Sequence, residues 1–238
     1  MMNIIRSINY ETRKSKILIR MYIVFVLLMA LIALLNINTD ADNMTYTSGM
    51  LSEDKTIPFL FPLFIVAMFI GYICCSDYKD KVINYELLSG HSRKKVYLSR
   101  TLYGILITSV FSTVLSLVPM VTGIIAFGWG DSIVLSEAVI RHLLLFFPYL
   151  RLTAFLAFLC VLIKSPYVMT AIGYLLFVLE GFVAHNSNYY ISLFNMNKLV
   201  DYSSFSGELV IMTIATSLVM AAVYVIIGYA IFRRSDMD

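Results

Sequence analysis

The chain has 238 residues, 60% of them hydrophobic, with a mean hydropathy of +0.83. Only 14% are charged, against about 25% in soluble domains, so there is too little polar surface to cover a water-soluble globule and nothing that points to nucleic acid. No long polar stretch could fold as a second domain, and residues 1–238 read as one transmembrane domain whose main surroundings are the lipid bilayer.

The first sixteen residues place Met1, Ile4, Ile5 and Ile8 on one helical face, with Asn3, Arg6, Asn9 and Arg13 elsewhere. That is the pattern of a basic amphipathic helix lying in the membrane interface; the plainer reading is a disordered basic terminus. Six apolar runs follow, near 17–35, 57–75, 101–127, 143–163, 167–184 and 209–232. Each is near the length of about 20 residues that a helix needs to cross the hydrocarbon core. The expected fold is therefore an all-α membrane protein of six transmembrane helices with an N-terminal interfacial helix.

Within the third run, Pro119 is expected to kink the helix or break its far end. Ser109, Ser112, Thr113 and Ser116 are small residues at helical spacing, suited to close helix contact. Ser165-Pro166 has the form of an N-cap followed by proline at the first helical position, so the fourth and fifth runs should form a tight hairpin. Residues 185–207 are too polar to span, and Tyr189, Tyr190, Ile191, Leu193 and Phe194 suggest an interfacial segment. Cys74, Cys75 and Cys160 lie in apolar runs and read as small packing residues rather than a disulfide framework.

Lysine and arginine set the orientation. Arg6, Arg13, Lys14, Lys16, Arg20, Lys79, Lys81, Arg93, Lys94, Lys95, Arg100, Lys164, Arg233 and Arg234 fall on one side of the six runs, and only Lys55, Arg141 and Lys198 on the other. Both termini and the loop between the second and third runs are expected in the cytosol. The expected location is a plasma (cytoplasmic) membrane, of bacterial type.

That loop, residues 75–100, reads CSDYKDKVINYELLSGHSRKKVYLSR. Val82, Ile83, Leu87 and Leu88 recur at helical spacing beside Asn84, Tyr85 and Glu86, and Gly90 supplies a stop. Two readings are open on composition: a short cytosolic helix presented to a partner, or a solvated basic loop. The residues Asp77, Lys79, Asn84, Leu88, Ser89, Gly90, Ser92, Arg93, Tyr97, Ser99 and Arg100 resemble the loop between spans two and three of the type-2 ABC exporter permeases. There a stretch of this kind forms a coupling helix and its exit. Residues 10–16, Tyr-Glu-Thr-Arg-Lys-Ser-Lys, are similar to the end of that family's interfacial helix. The resemblance implies a permease that works with a second permease subunit, identical or sister, and docks a cytosolic ATP-binding subunit. The contact would run through Asn84, Tyr85, Glu86, Leu87, Leu88, Gly90 and Arg93.

The chain has no Gly-x-x-x-x-Gly-Lys-Ser/Thr loop to cradle nucleotide phosphates. It is not expected to be an enzyme or to hold a cofactor, and ATP and magnesium would belong to the partner. Arg151 and Glu180 lie inside the fourth and fifth runs at similar depth. A lone charge there costs at least about 2.5–3.5 kcal/mol, so they read as an intramembrane ion pair or as polar lining of a translocation path. No catalytic or metal-ligating constellation is visible, and the three histidines, His91, His142 and His185, fall in predicted loops. The expected function is the permease subunit of an ATP-driven exporter of an amphipathic or hydrophobic cargo such as a peptide toxin or antimicrobial. The alternative is a stand-alone six-span channel or secondary carrier.

Overall fold

The apolar runs fold as helices because hydrocarbon offers no partner for an unpaired backbone N–H or C=O. The computed structural model describes residues 2–37, 56–79, 82–129, 134–184, 199 and 206–234, and among these the regular structure is all helical. In chain order the helices are α1 (Met2–Lys14), α2 (Lys16–Ile37), α3 (Thr56–Ile70), a π-helical turn (Gly71–Cys75), α4 (Ser76–Lys79) and α5 (Val82–Leu88). Then come α6 (Arg93–Phe127), α7 (Leu135–Leu144), α8 (Phe146–Ile163), α9 (Pro166–Ala184) and α10 (Gly207–Arg234).

Among the described residues, four stretches are long and apolar enough to cross a membrane: Lys16–Leu34, Arg93–Ala126, Leu135–Ile163 and Gly207–Arg234. Shorter apolar helices at Leu63–Tyr78 and Pro166–Leu176 overlap the second and fifth expected runs, 57–75 and 167–184. The polar stretches 40–55 and 185–198, including the expected interfacial segment at Tyr189–Phe194, lie outside the described residues.

The bundle is built on α8. It makes its most extensive contact with α10, packs along α6, and turns back on α9. α6 in turn carries α2, α3 and the amphipathic α1. Tyr22 of α2, Phe69 of α3 and Phe111 of α6 meet ring to ring, with centroids 5.2–6.2 Å apart. Between apolar helices in lipid, contact gains no hydrophobic energy, so close packing and interhelical hydrogen bonds of about 0.6–2 kcal/mol must hold them. The small-residue stripe of α6 serves this end. Ser109, Ser112 and Thr113 are buried, and Ser109 Oγ lies 2.9 Å from Thr153 Oγ1 of α8. Thr170 of α9 likewise reaches the Ala67 carbonyl of α3 at 3.4 Å.

Local chemistry sets the ends. α8 stops where Lys164 takes a left-handed conformation (φ 53°). α9 begins at Pro166, with Met169 N–H bonding the Ser165 carbonyl at 2.9 Å; the tight hairpin read from Ser165-Pro166 is present. The π-turn leaves the Ile70 carbonyl facing Cys160, whose thiol donates weakly at 4.0 Å, and all three cysteines are free and buried.

Two expectations change. Of the kink or break expected at Pro119, the break does not occur: α6 continues to Phe127. Leu115 and Met120, on either side of Pro119 in the chain, are both buried. His142 does not lie in a loop: it is buried in α7 and its Nδ1 lies 2.9 Å from the Ala138 carbonyl. A bend at Leu145 separates α7 from α8. The sequence hid α7 because Glu137, Arg141 and His142 break its apolar pattern, while Arg141 pairs with Glu137 one turn away, which satisfies the charge locally.

Candidate functional site

α1, α5, the start of α6 and the ends of α8 and α10 converge at one end of the bundle. A second apolar cluster forms there from Ile4, Ile8, Ile83, Val96, Tyr97, Val161 and Phe232. The amphipathic reading of the N-terminus holds in its geometry: Ile4 and Ile8 are buried, while Arg6, Arg13 and Lys14 lie on the outer face with Arg13 and Lys14 in the last turn. Tyr103 Oη of α6 bonds Asn9 Oδ1 at 3.3 Å, so α1 is pinned to the base of α6.

α5 is only seven residues long, shorter than the roughly 12–15 residues at which an isolated helix becomes marginal. Tertiary contacts must hold it. Ile83 is its buried anchor, and Leu87 packs partly against the same cluster. Its end is a Schellman motif. His91 N–H bonds the Glu86 carbonyl (3.3 Å), Gly90 N–H bonds the Leu87 carbonyl (3.1 Å), and Gly90 takes φ 90°, a conformation that glycine adopts without strain. Two residues on, Ser92 caps α6, accepting Lys95 N–H at 3.4 Å. The Leu-Ser-Gly-His-Ser-Arg string is thus a stop followed at once by a start, and it turns the chain sharply from α5 into α6.

The side chains that follow tie this corner down. Arg100 is 7% exposed. Its Nε donates to Glu86 Oε2 at 2.9 Å and its Nη2 to Glu86 Oε1 at 2.8 Å, a two-pronged grip that suits guanidinium and carboxylate. Its Nη1 faces Asp77 of α4 as an ion pair. Burial pushes the Asp77 carboxyl up to about 6, against the opposing pull of Arg100. Tyr97 Oη donates to the Val225 carbonyl of α10 at 3.1 Å and sits where a Cβ on Gly228 would lie. Arg93 Nη1 donates to the Arg233 carbonyl at 2.9 Å, closing the C-terminal turn of α10, where carbonyls lack helical partners.

The residues read as a partner surface therefore divide. Tyr85 and Leu88 are 71% and 84% exposed, and Gly90 is exposed at the turn. Asn84 and Leu87 are half-buried. Glu86 is turned inward onto Arg100, and Arg93 is engaged with α10. The sequence reading missed Arg100 as a structural centre. The available signal was an arginine at the mouth of an apolar run, a position where a charge needs a carboxylate, with Asp77 and Glu86 in the preceding loop.

The intramembrane charges are placed only in part. Arg151 is buried in α8. Glu180 belongs to α9, which packs against α8, but its side chain lies outside the described residues. Among the described residues, no group of His, Cys, Asp and Glu is arranged to hold a metal ion.

A family model described as "Protein of unknown function (DUF2705)" matches residues 26–237. No curated protein matches the chain.

Proposed function

We propose that this chain, which belongs to the DUF2705 family, is the transmembrane permease subunit of an ATP-driven exporter. The observation that carries this reading is the corner at the basic end. A short helix is locked to the longest apolar helix, and its free face offers two large apolar side chains, Tyr85 and Leu88, to solvent rather than to the bundle. Exposed apolar groups rimmed by polar residues mark contact surfaces. Here the rim is Ser89, His91, Ser92, Arg93, Lys94 and Lys95, all exposed.

In this reading the chain spans the membrane six times with both termini in the cytosol, as the lysine and arginine distribution favours. Tyr85 and Leu88 seat in a groove of a cytosolic ATP-binding subunit. Arg6, Arg13, Lys94 and Lys95 hold the corner against anionic headgroups. The chain has no phosphate loop of its own, so ATP and magnesium bind the partner. Two permease subunits, identical or sister, enclose the path, and closure of the ATP-binding subunits moves α5 and with it α6. The cargo is an amphipathic or hydrophobic molecule such as a peptide toxin or antimicrobial. The test is to co-express the chain with any ATP-binding protein encoded beside it and to reconstitute the product in proteoliposomes. A stoichiometric complex with cargo-stimulated ATP hydrolysis supports the reading. A chain that conducts or exchanges solutes alone, with no ATP-binding partner, replaces it with a channel or carrier.

A further inference from the structure

We infer that Arg100 is the positioning residue of the docking helix: its hold on Glu86 makes α5 and the base of α6 one rigid unit, so that a push on Tyr85 and Leu88 moves α6 instead of flexing the turn between them. The rigidity stands on the geometry alone; what the push delivers rests on the permease reading above.

One residue, Ile83, is the buried apolar anchor of α5. The connection to α6 is residues 89–92, with glycine at its centre, and its bonds are backbone turns and the Ser89 hydroxyl on the Glu86 carbonyl. Such a connector bends readily about Gly90, since glycine resists few conformations. Glu86 and Arg100 bridge this hinge from side to side. The bridge has two parallel hydrogen bonds, so it fixes orientation as well as distance. It is partly buried, so salt screens it less than a surface pair. The same guanidinium reaches Asp77, so α4, α5 and α6 meet on one side chain. Beyond it α6 runs unbroken from Arg93 to Phe127 and packs on α2 and α8. Beside the packing of Ile83 and Leu87, this bridge gives motion of α5 a rigid route into the bundle. A lysine could not substitute, because one ammonium cannot present the same fork to both carboxylate oxygens.

The test is hydrogen–deuterium exchange on the full chain in lipid nanodiscs. In Arg100→Gln the amides of 82–88 should exchange about tenfold faster or more, the scale of losing charge-assisted hydrogen bonds, while those of 105–120 keep their wild-type rate. Arg100→Lys should fall between. Where Arg100→Gln does not fold, Glu86→Gln is read at the same amides. Unchanged exchange at 82–88, or equal acceleration at 105–120, overturns the inference. In the reconstituted complex, Arg100→Gln should lose export per ATP hydrolysed, and Arg100→Lys should recover part of it. Full export by Arg100→Gln overturns the positioning role. A wild-type chain that never binds the ATP-binding protein sinks the proposed function instead, and leaves the exchange result standing.

Discussion

Arg100 and Glu86 lie fourteen residues apart in the chain yet meet through two hydrogen bonds of 2.9 and 2.8 Å, across the turn that joins α5 to α6. Asp77 completes the group from α4, but on unequal terms. Glu86 takes both oxygens to the guanidinium, whereas burial raises the Asp77 carboxyl to about 6.

The two carboxylates should therefore respond differently to neutralisation. Glu86→Gln leaves Arg100 short of its main partner and should cost about 3–5 kcal/mol, the scale of breaking a buried pair. Asp77→Asn removes a charge that the fold disfavours. The sign follows from proton linkage. A carboxyl that binds its proton more tightly in the folded state loses stability as pH rises from about 4 to about 6. Asp77→Asn lacks that loss, so its melting temperature relative to wild type should climb between pH 4 and pH 7. Thermal melts in detergent across this range decide it, and a flat difference would contradict the assignment.

Tyr97 and Gly228 make a second testable contact. A Cβ at Gly228 would fall on the Tyr97 hydroxyl, so Gly228→Ala should destabilise by about 1–3 kcal/mol. Tyr97→Phe loses one hydrogen bond, worth about 1 kcal/mol, but it also removes the obstructing oxygen. Gly228→Ala should cost less in the Tyr97→Phe background than alone. Equal costs in both backgrounds would mean that the two helices are not in contact there.

Arg151 and Glu180 are proposed to compensate one another between α8 and α9. Each alanine substitution should destabilise the protein by about 2.5–3.5 kcal/mol or more, and the double substitution should cost less than the sum. Strictly additive losses in the cycle would assign both residues to separate roles.

How much of this was legible in the sequence depends on which physics set each feature. Helices governed by apolar length were readable. The runs at 17–35, 101–127 and 209–232 lie within α2, α6 and α10, because lipid leaves the backbone no other way to pair. Punctuation was readable at Gly90, Ser165 and Pro166, because stops and caps are local. α7 was not, since its Arg141 and Glu137 pair within the helix and so look like loop residues in sequence. The inward turn of Glu86 was not readable either. A single period of seven residues cannot say which polar side faces out, and the answer came from Arg100 two turns into another helix. The exposed pair Tyr85 and Leu88 was named among the candidates, but only the fold separates it from Glu86 and Leu87.

Orientation can be checked independently of partners. Single cysteines at Ser92 and Thr47, in a chain cleared of its native cysteines, should differ when intact cells meet an impermeant thiol reagent. Position 47 should label and position 92 should not. Labelling at 92 but not at 47 would invert the topology and place α5 on the wrong side for any cytosolic partner.

The central claim is that α5 docks an ATP-binding subunit through its free face. Tyr85→Ala with Leu88→Ala changes only exposed side chains, so the chain should insert and melt as wild type does. The measurement is stoichiometric co-purification of a cytosolic ATP-binding protein from the native cells, compared between wild type and the double variant. The account predicts that wild type retains the partner and the double variant loses most of it at unchanged expression. Retention of the partner by the double variant at wild-type stoichiometry would contradict the claim.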